Sequence, residues 1–394
     1  MAKISSATAS VAKTTHAAVP LLDFQRQYSE IRAEVLAAIE RVCKSQQFIL
    51  GREVEALESE IAALAGTSAA VACSSGTDAL WLALVAAGVQ PGDFVITSAF
   101  SFFASASAIA RAGAKPVLLD VDPETLNLDP RPVAERLSGG RSHKVRAILP
   151  VHLFGQCADM DVLNAIARAH HIPVIEDAAQ AIGASWNGKP AGSLGIAAAF
   201  SFYPTKNLSA YGDAGMVTTS DSALAEHMRR LRNHGSPRRY YHEELGWNAR
   251  MDAIQAAVLR VKLPHLEKWN QQRRLCAARY DRLLAAAGLL SVSGPLRSLT
   301  TLPQAHHVFH QYVIRAQRRD ELREFLNSRG IGSEVYYPVP LHLQEAFAYL
   351  GHLPGDLPHS EAAAREVLAL PIFPELTEAE QACVVETIAE FYSA

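Results

Sequence analysis

Ser201-Phe-Tyr-Pro-Thr-Lys206-Asn-Leu, read with Glu176-Asp177-Ala-Ala-Gln180 upstream, is the part of this 394-residue chain on which the fold turns. Each segment continues a short apolar run and ends in polar residues that a turn would present. Runs of the same kind recur at 69–73, 94–97, 116–121, 147–151, 172–176, 198–202 and 216–219, and helix-length patterns such as 77–87 and 161–170 lie between several of them. Strands alternating with helices predict an α/β architecture with a mostly parallel sheet. In such sheets ligands gather at the carboxyl ends of the strands, and Ser74, Asp177 and Ser201 each fall at or just past one.

Beyond this region, a helical pattern runs from 252 to about 287 with only Pro264 interrupting it. After Leu290 the texture changes: 312–314 reads as a strand, 319–329 as a helix and 377–392 as a terminal helix. The expected organisation is a disordered tail over 1–19, a large domain over 20–260, and a linking helix with a smaller α+β domain over 261–394. At 49% apolar and 20% charged the chain can bury a large core, and a net charge of -3 supplies no basic field for nucleic acid. No window reaches the ~18 uninterrupted apolar residues of a membrane span. Five cysteines without a C-x-x-C pair suggest neither a metal site nor a disulfide framework, and fit a reducing cytoplasm. Residues 1–19 contain no acid and lack the apolar core of a secretory signal.

A lysine after one strand and an acid at the end of another meet the two needs of pyridoxal phosphate chemistry: an amine for the Schiff base and a carboxylate that keeps the pyridine nitrogen protonated. Lys206 follows an apolar strand, where desolvation would lower its pKa. Asp177 would emerge with little water around it and so calls for a cationic partner. Gln180 lies on the same turn, within reach of the ring's phenolic oxygen. Ser74-Ser-Gly76-Thr77 ends a strand and opens a helix, so free amides and the helix dipole would favour a phosphate there, with Gly76 permitting close approach and Ser201 adding a hydroxyl. Singly, each feature has an ordinary reading: a surface lysine, a capping aspartate, a Ser-Gly-Thr N-cap. No G-x-G-x-x-G follows any strand, which disfavours a nicotinamide enzyme.

Taken together with Phe48-Ile-Leu-Gly, Ser75-Gly-Thr-Asp-Ala-Leu, Gly246-Trp-Asn-Ala-Arg-Met-Asp-Ala-Ile-Gln-Ala-Ala and Tyr336-Tyr-Pro-Val-Pro-Leu-His-Leu-Gln, these motifs occur in the order in which the chain resembles the DegT/DnrJ/EryC1/StrS family of sugar aminotransferases, from about Pro20 to the C-terminus. The resemblance implies fold type I, the aspartate aminotransferase fold. It implies that Lys206 forms the Schiff base and moves protons, that Asp177 holds the pyridine nitrogen and Gln180 the ring hydroxyl, and that Gly76, Thr77 and Ser201 hold the phosphate. Phe102 matches an aromatic that stacks on the cofactor; by itself it reads as a core residue. Asn248 matches a residue donated across a homodimer interface, although it also reads as a cap of the following helix. Arg250 is a candidate clamp for a substrate carboxylate, and Tyr336, Tyr337 and His342 match the sugar-nucleotide pocket. Ser209 and Ala214 stand where the family commonly has glycine, which puts the local loop conformation in question.

The implied reaction moves an amino group from L-glutamate, leaving 2-oxoglutarate, to a nucleotide-linked keto sugar, with C3 favoured over C4. Alternatives of the same pattern are an aminotransferase for a cyclitol or other ketone, and a non-enzymatic cofactor-bearing regulator. A family dehydratase would carry His in place of Lys206.

Overall fold

The computed structural model describes residues 18–139, 144–291 and 293–393. The main sheet contains β1 Ala69–Cys73, β2 Phe94–Ser98, β3 Lys115–Leu119, β4 Val145–Leu149, β5 Ile175–Asp177, β8 Ala197–Ser201 and β9 Gly215–Thr219. Parallel pairing joins β3 to β2, β2 to β4, and β5 to β8. Parallel bridges Ile148–Val174 and Val151–Asp177 connect β4 to the β5 side, giving the order β3-β2-β4-β5-β8-β9-β1. Only β9 is reversed, running antiparallel to both β8 and β1. The expected runs therefore correspond to strands, shifted by a residue or more at most of their ends. β6 Ser185–Trp186 and β7 Lys189–Pro190 form a hairpin outside this sheet.

The sheet is covered on both faces, which explains why its strands are apolar without alternation. α3 Gly76–Ala86 buries every residue from Ala79 to Leu84, as a helix packed on all sides does. The alanines of β8 let it come close. α4 Phe103–Arg111 follows β2, α5 Pro130–Ser138 follows β3, α6 Met160–Ala169 follows β4, and α7 Ser222–Leu231 follows β9.

Two helices precede the sheet. α1 Phe24–Ser45 is capped by Asp23, whose carboxylate accepts from Gln25 N and Arg26 N, and buries Ile31, Val35, Ala38 and Val42. α2 Arg52–Ala65 packs on β1. The helix expected over 252–287 is divided: α8 Ala253–Lys262 packs against α1, a 3-10 turn spans Leu263–His265, and α9 Leu266–Ala286 continues. Pro264 lacks the amide that a continuous α-helix would use there.

β10 Leu296–Ser298, β12 Tyr312–Ala316 and β13 Val367–Leu370 make an antiparallel sheet packed with α10 Arg319–Ser328, α11 Pro358–Glu366 and α12 Glu378–Ser393, while β11 Ala305–His306 pairs with β6. Val19 belongs to this second core: it is buried and bridges Ile331. The expectation of a disordered tail over 1–19 therefore fails at Val19, and the part of it that falls on residues 1–17 lies outside the described residues. Among the described residues no helix is long and apolar enough to cross a membrane.

Candidate active site

A cavity of about 720 Å³ opens where β1, β5 and β8 end. Asp177 closes β5 with its side chain aimed into it and only 4% of the residue exposed. The carboxylate accepts from Ser105 Oγ at 2.7 Å and Ala179 N at 3.2 Å. Burial pushes its pKa up; the hydrogen bonds and the nearby Lys206 pull the other way without cancelling the effect. The preceding Glu176 shows what a finished site looks like. It points to the opposite side, as strand alternation requires. There it accepts from His152 Nε2 at 3.0 Å and from the amides of Gly192, Leu194 and Gly195 at 2.8 to 2.9 Å. His152 Nδ1 accepts from Ala158 N, so its proton sits on Nε2. Glu176 is structural, while Asp177 keeps spare acceptor capacity that faces the cavity.

Lys206 enters from the turn after β8, with its backbone amide bonded to Tyr203 O. Burial lowers its amine from 10.5 to about 8, and the Asp177 charge offsets this only in part. His310 lines the same wall, and its Nδ1 pairs with Asn207 Oδ1 at 3.1 Å. Burial first, and the Lys206 charge second, hold its pKa well below the usual value.

Ser75 caps α3, accepting from Asp78 N at 3.1 Å. A Cβ on Gly76 would stand 2.6 Å from Ser201 Cβ, so glycine is required by the approach of α3 to the end of β8 before any ligand is considered. A Cβ on Gly215 would meet Ser75 O at 2.2 Å. The Ser75–Gly76 turn is thus wedged between two strands, with Gly76, Thr77 and Ser201 all lining the cavity.

Gln180 Oε1 accepts from Phe154 N at 2.6 Å, while its Nε2 donates to Tyr337 OH at 3.1 Å. Tyr336 and Tyr337 line the opposite wall. Phe102 is 57% exposed at the cavity, with its ring 6.1 Å from that of Tyr337, so it is not a core aromatic.

Three expected residues lie elsewhere. Asn248 is exposed and accepts from Arg250 Nε at 3.1 Å, while Arg250 Nη1 donates to Asn233 Oδ1 at 3.0 Å. Neither lines the cavity. Asp252, not Asn248, occupies the N-cap position of α8, which removes the capping reading. His342 is buried away from the cavity lining, its Nε2 paired with Glu361 at 3.2 Å. Ser209 and Ala214 have no positive φ, so a side chain fits where the family commonly has glycine. Sequence reading missed Ser105 and His310. Neither sits in a motif, and only tertiary packing brings them to Asp177 and Lys206.

The residues fit pyridoxal phosphate. A buried acid with unfilled acceptor sites suits a pyridinium N–H, an amine whose pKa burial lowers suits an aldehyde, and a wedged helix start suits a phosphate. The fold and site define a pyridoxal-phosphate-dependent aminotransferase of fold type I.

The DegT/DnrJ/EryC1/StrS aminotransferase family matches residues 29–389, and the chain belongs to it. It is 53% identical to the pleiotropic regulatory protein of Geobacillus stearothermophilus, over 95% of this chain and 98% of that one. It is 44% identical to dTDP-3-amino-3,4,6-trideoxy-alpha-D-glucose transaminase of Streptomyces venezuelae, over 95% and 96%. The crystal structure of S. venezuelae DesV in complex with a ketimine intermediate superposes with a TM-score of 0.91 at 44% identity, covering 96% of this chain and all of that one.

The Lys206 amine must be neutral to attack an aldehyde. At a pKa of about 8 roughly a tenth is neutral at pH 7, against about one part in three thousand at 10.5. The rate at which apoprotein captures pyridoxal phosphate should rise with pH and level off above about 8. A stopped-flow pH series with its midpoint near 10 would contradict the desolvated lysine.

Proposed function

We propose that the enzyme transfers the amino group of L-glutamate to C3 of a keto sugar carried on a nucleoside diphosphate, in the cytoplasm, as a homodimer whose sites share Asn248 and Arg250. The observation that carries the reading is the facing of Lys206 and Asp177 across one cavity. Bound pyridoxal phosphate supplies an aldehyde that captures amines and a protonated ring that accepts electrons.

The protein supplies placement and proton transfer. Asp177 would hold the ring-nitrogen proton, Gln180 would donate toward the ring hydroxyl, and the Gly76–Thr77 amides with Ser201 would hold the phosphate. Phe102 offers an exposed ring face for stacking. Lys206 Nζ, whose amine burial lowers to about 8, would be the group that takes and returns the proton beside the bound ring, for the amino donor and then for the sugar ketone. His310, kept neutral, adds no second cation beside Lys206. Tyr336 and Tyr337 form the sugar side of the cavity, while His342 supports the loop behind them through Glu361.

For the acceptor, the support is the 44% identity to a relative named for a dTDP-3-amino sugar. For the dimer, the support is charge and exposure. Among the described residues the cavity lining contains no arginine, although both substrates are anionic. Asn248 and Arg250 lie outside it, on a segment with Tyr240 79% and Leu245 95% exposed.

The test of the acceptor is to incubate the pyridoxamine form with dTDP-, UDP- and GDP-linked 3-keto and 4-keto sugars and a keto-cyclitol, following the return of the aldehyde absorbance. A nucleotide-linked 3-keto sugar should turn over fastest. A 4-keto sugar or the keto-cyclitol turning over fastest would contradict the C3 reading.

The shared site has its own test. Lys206→Ala and Asn248→Ala homodimers should each be inactive, and mixing them should regenerate one intact site per heterodimer. Exchanged subunits that stay inactive would contradict donation in trans.

A further inference from the structure

The turn that carries Lys206 is gripped from behind by α8. Gln255 brackets the backbone of Tyr211, its Oε1 accepting from Tyr211 N at 2.8 Å and its Nε2 donating to Tyr211 O at 3.2 Å. Seven residues on, two helical turns along the same face, stands Lys262. It is 3% exposed, yet its ammonium reaches the turn twice: Nζ donates to Ser209 Oγ at 2.9 Å and lies 4.5 Å from the centroid of the Tyr211 ring. No carboxylate pairs with it among the described residues. Burial alone acts on its amine, lowering it to about 8.

A buried, acid-free ammonium is expensive to maintain, and a methionine of similar length would fill the space without that penalty. Lys262 takes no part in the catalytic cavity. It borders a separate groove of about 450 Å³, with Phe24, Tyr28 and Tyr211, on the far side of the Lys206 turn. The other side of the turn is anchored by Asn207, whose Nδ2 donates to Asn270 Oδ1 of α9 at 2.7 Å and to Val308 O at 3.1 Å. With Asn207 fixed from α9, and Ser209 and Tyr211 fixed from α8, the Lys206 backbone has little freedom.

We propose that Lys262 is a positioning residue for the transamination: by holding Ser209 and Tyr211 it sets where the Lys206 amine stands in the cavity. This rests on the reading of Lys206 as the residue that binds the cofactor and moves the proton. Lys262 itself touches neither cofactor nor substrate. The role also accounts for Ser209, since a glycine there would offer the ammonium no side-chain acceptor.

The experiment compares holoenzyme carrying Lys262→Met, Ser209→Ala and both changes. A misplaced proton-transfer group costs on the order of tenfold to a hundredfold in rate. Lys262→Met should therefore lower kcat in both half-reactions by roughly that factor, while KM for donor and acceptor stays within about twofold. Amide exchange in apoprotein should quicken at 207–211 and remain unchanged in the β-sheet. The double variant should be no slower than Lys262→Met, because both changes break one contact. If Lys262→Met does not fold, Ser209→Ala, which removes a single hydroxyl, carries the same kcat and exchange predictions at smaller amplitude.

Wild-type kcat with wild-type exchange at 207–211 would overturn the proposal, as would a loss confined to KM. Borohydride reduction of the unaltered holoenzyme separates the two ideas: a label absent from Lys206 refutes the reading of Lys206, whereas a label on Lys206 with no effect of Lys262→Met refutes only the positioning role.

Discussion

Desolvation of two opposite charges in one cavity is the constraint on which the rest of this structure depends. Burial raises Asp177 and lowers Lys206, so each is pushed toward its neutral form, and their mutual attraction restores only part of what water would provide. A ring that arrives with a cationic N–H for the acid and an aldehyde for the amine would satisfy both groups at once. Residual dissatisfaction in the free protein would thus become affinity and reactivity in the loaded one.

The fold makes this arrangement with few elements. β5 and β8 are parallel neighbours in which Asp177 pairs with Ala199, so the acid and the turn beyond Ser201 emerge at the same edge. The reversed β9 brings Gly215 opposite both Cys73 and Ser201, packing the start of α3 against the end of β8. Helices behind the sheet then fix the exit path of the chain: α9 holds Asn207 and α8 holds Ser209 and Tyr211. Adjacent acids receive opposite roles because a strand alternates its side chains. Glu176 is saturated by backbone amides and His152, whereas Asp177 is left two donors and a cavity.

Much of this was legible in the residues, and what was not has physical reasons. Apolar strand runs and the Lys206 and Asp177 positions were readable because a strand covered on both faces has a strong local signature. The reading has no element over 24–65, where α1 and α2 stand. Their signals are the spacing of Ile31, Val35, Ala38 and Val42 behind Asp23 in α1, and of Val54, Leu57, Ile61 and Ala65 in α2. Pro264 was legible as an interruption of the long helical pattern, and the structure shows that the interruption is a 3-10 turn dividing α8 from α9. Ser105, His310 and Lys262 were beyond reach, since each acts through a partner distant in sequence. The role expected of Gly76 was allied to ligand approach, and the structure adds the nearer cause, the contact with Ser201. His342, matched to the pocket by its motif, is turned toward Glu361.

The account stands most directly on the identity of the amine that binds the cofactor. Reducing the pyridoxal-phosphate-loaded protein with borohydride and mapping the peptides should give one modified residue, Lys206. Lys262 is the discriminating control, because burial lowers its amine to the same value of about 8 but it faces a different groove. A label on Lys262, or on any lysine other than Lys206, would contradict the claim that the site at the end of β8 selects the reactive amine.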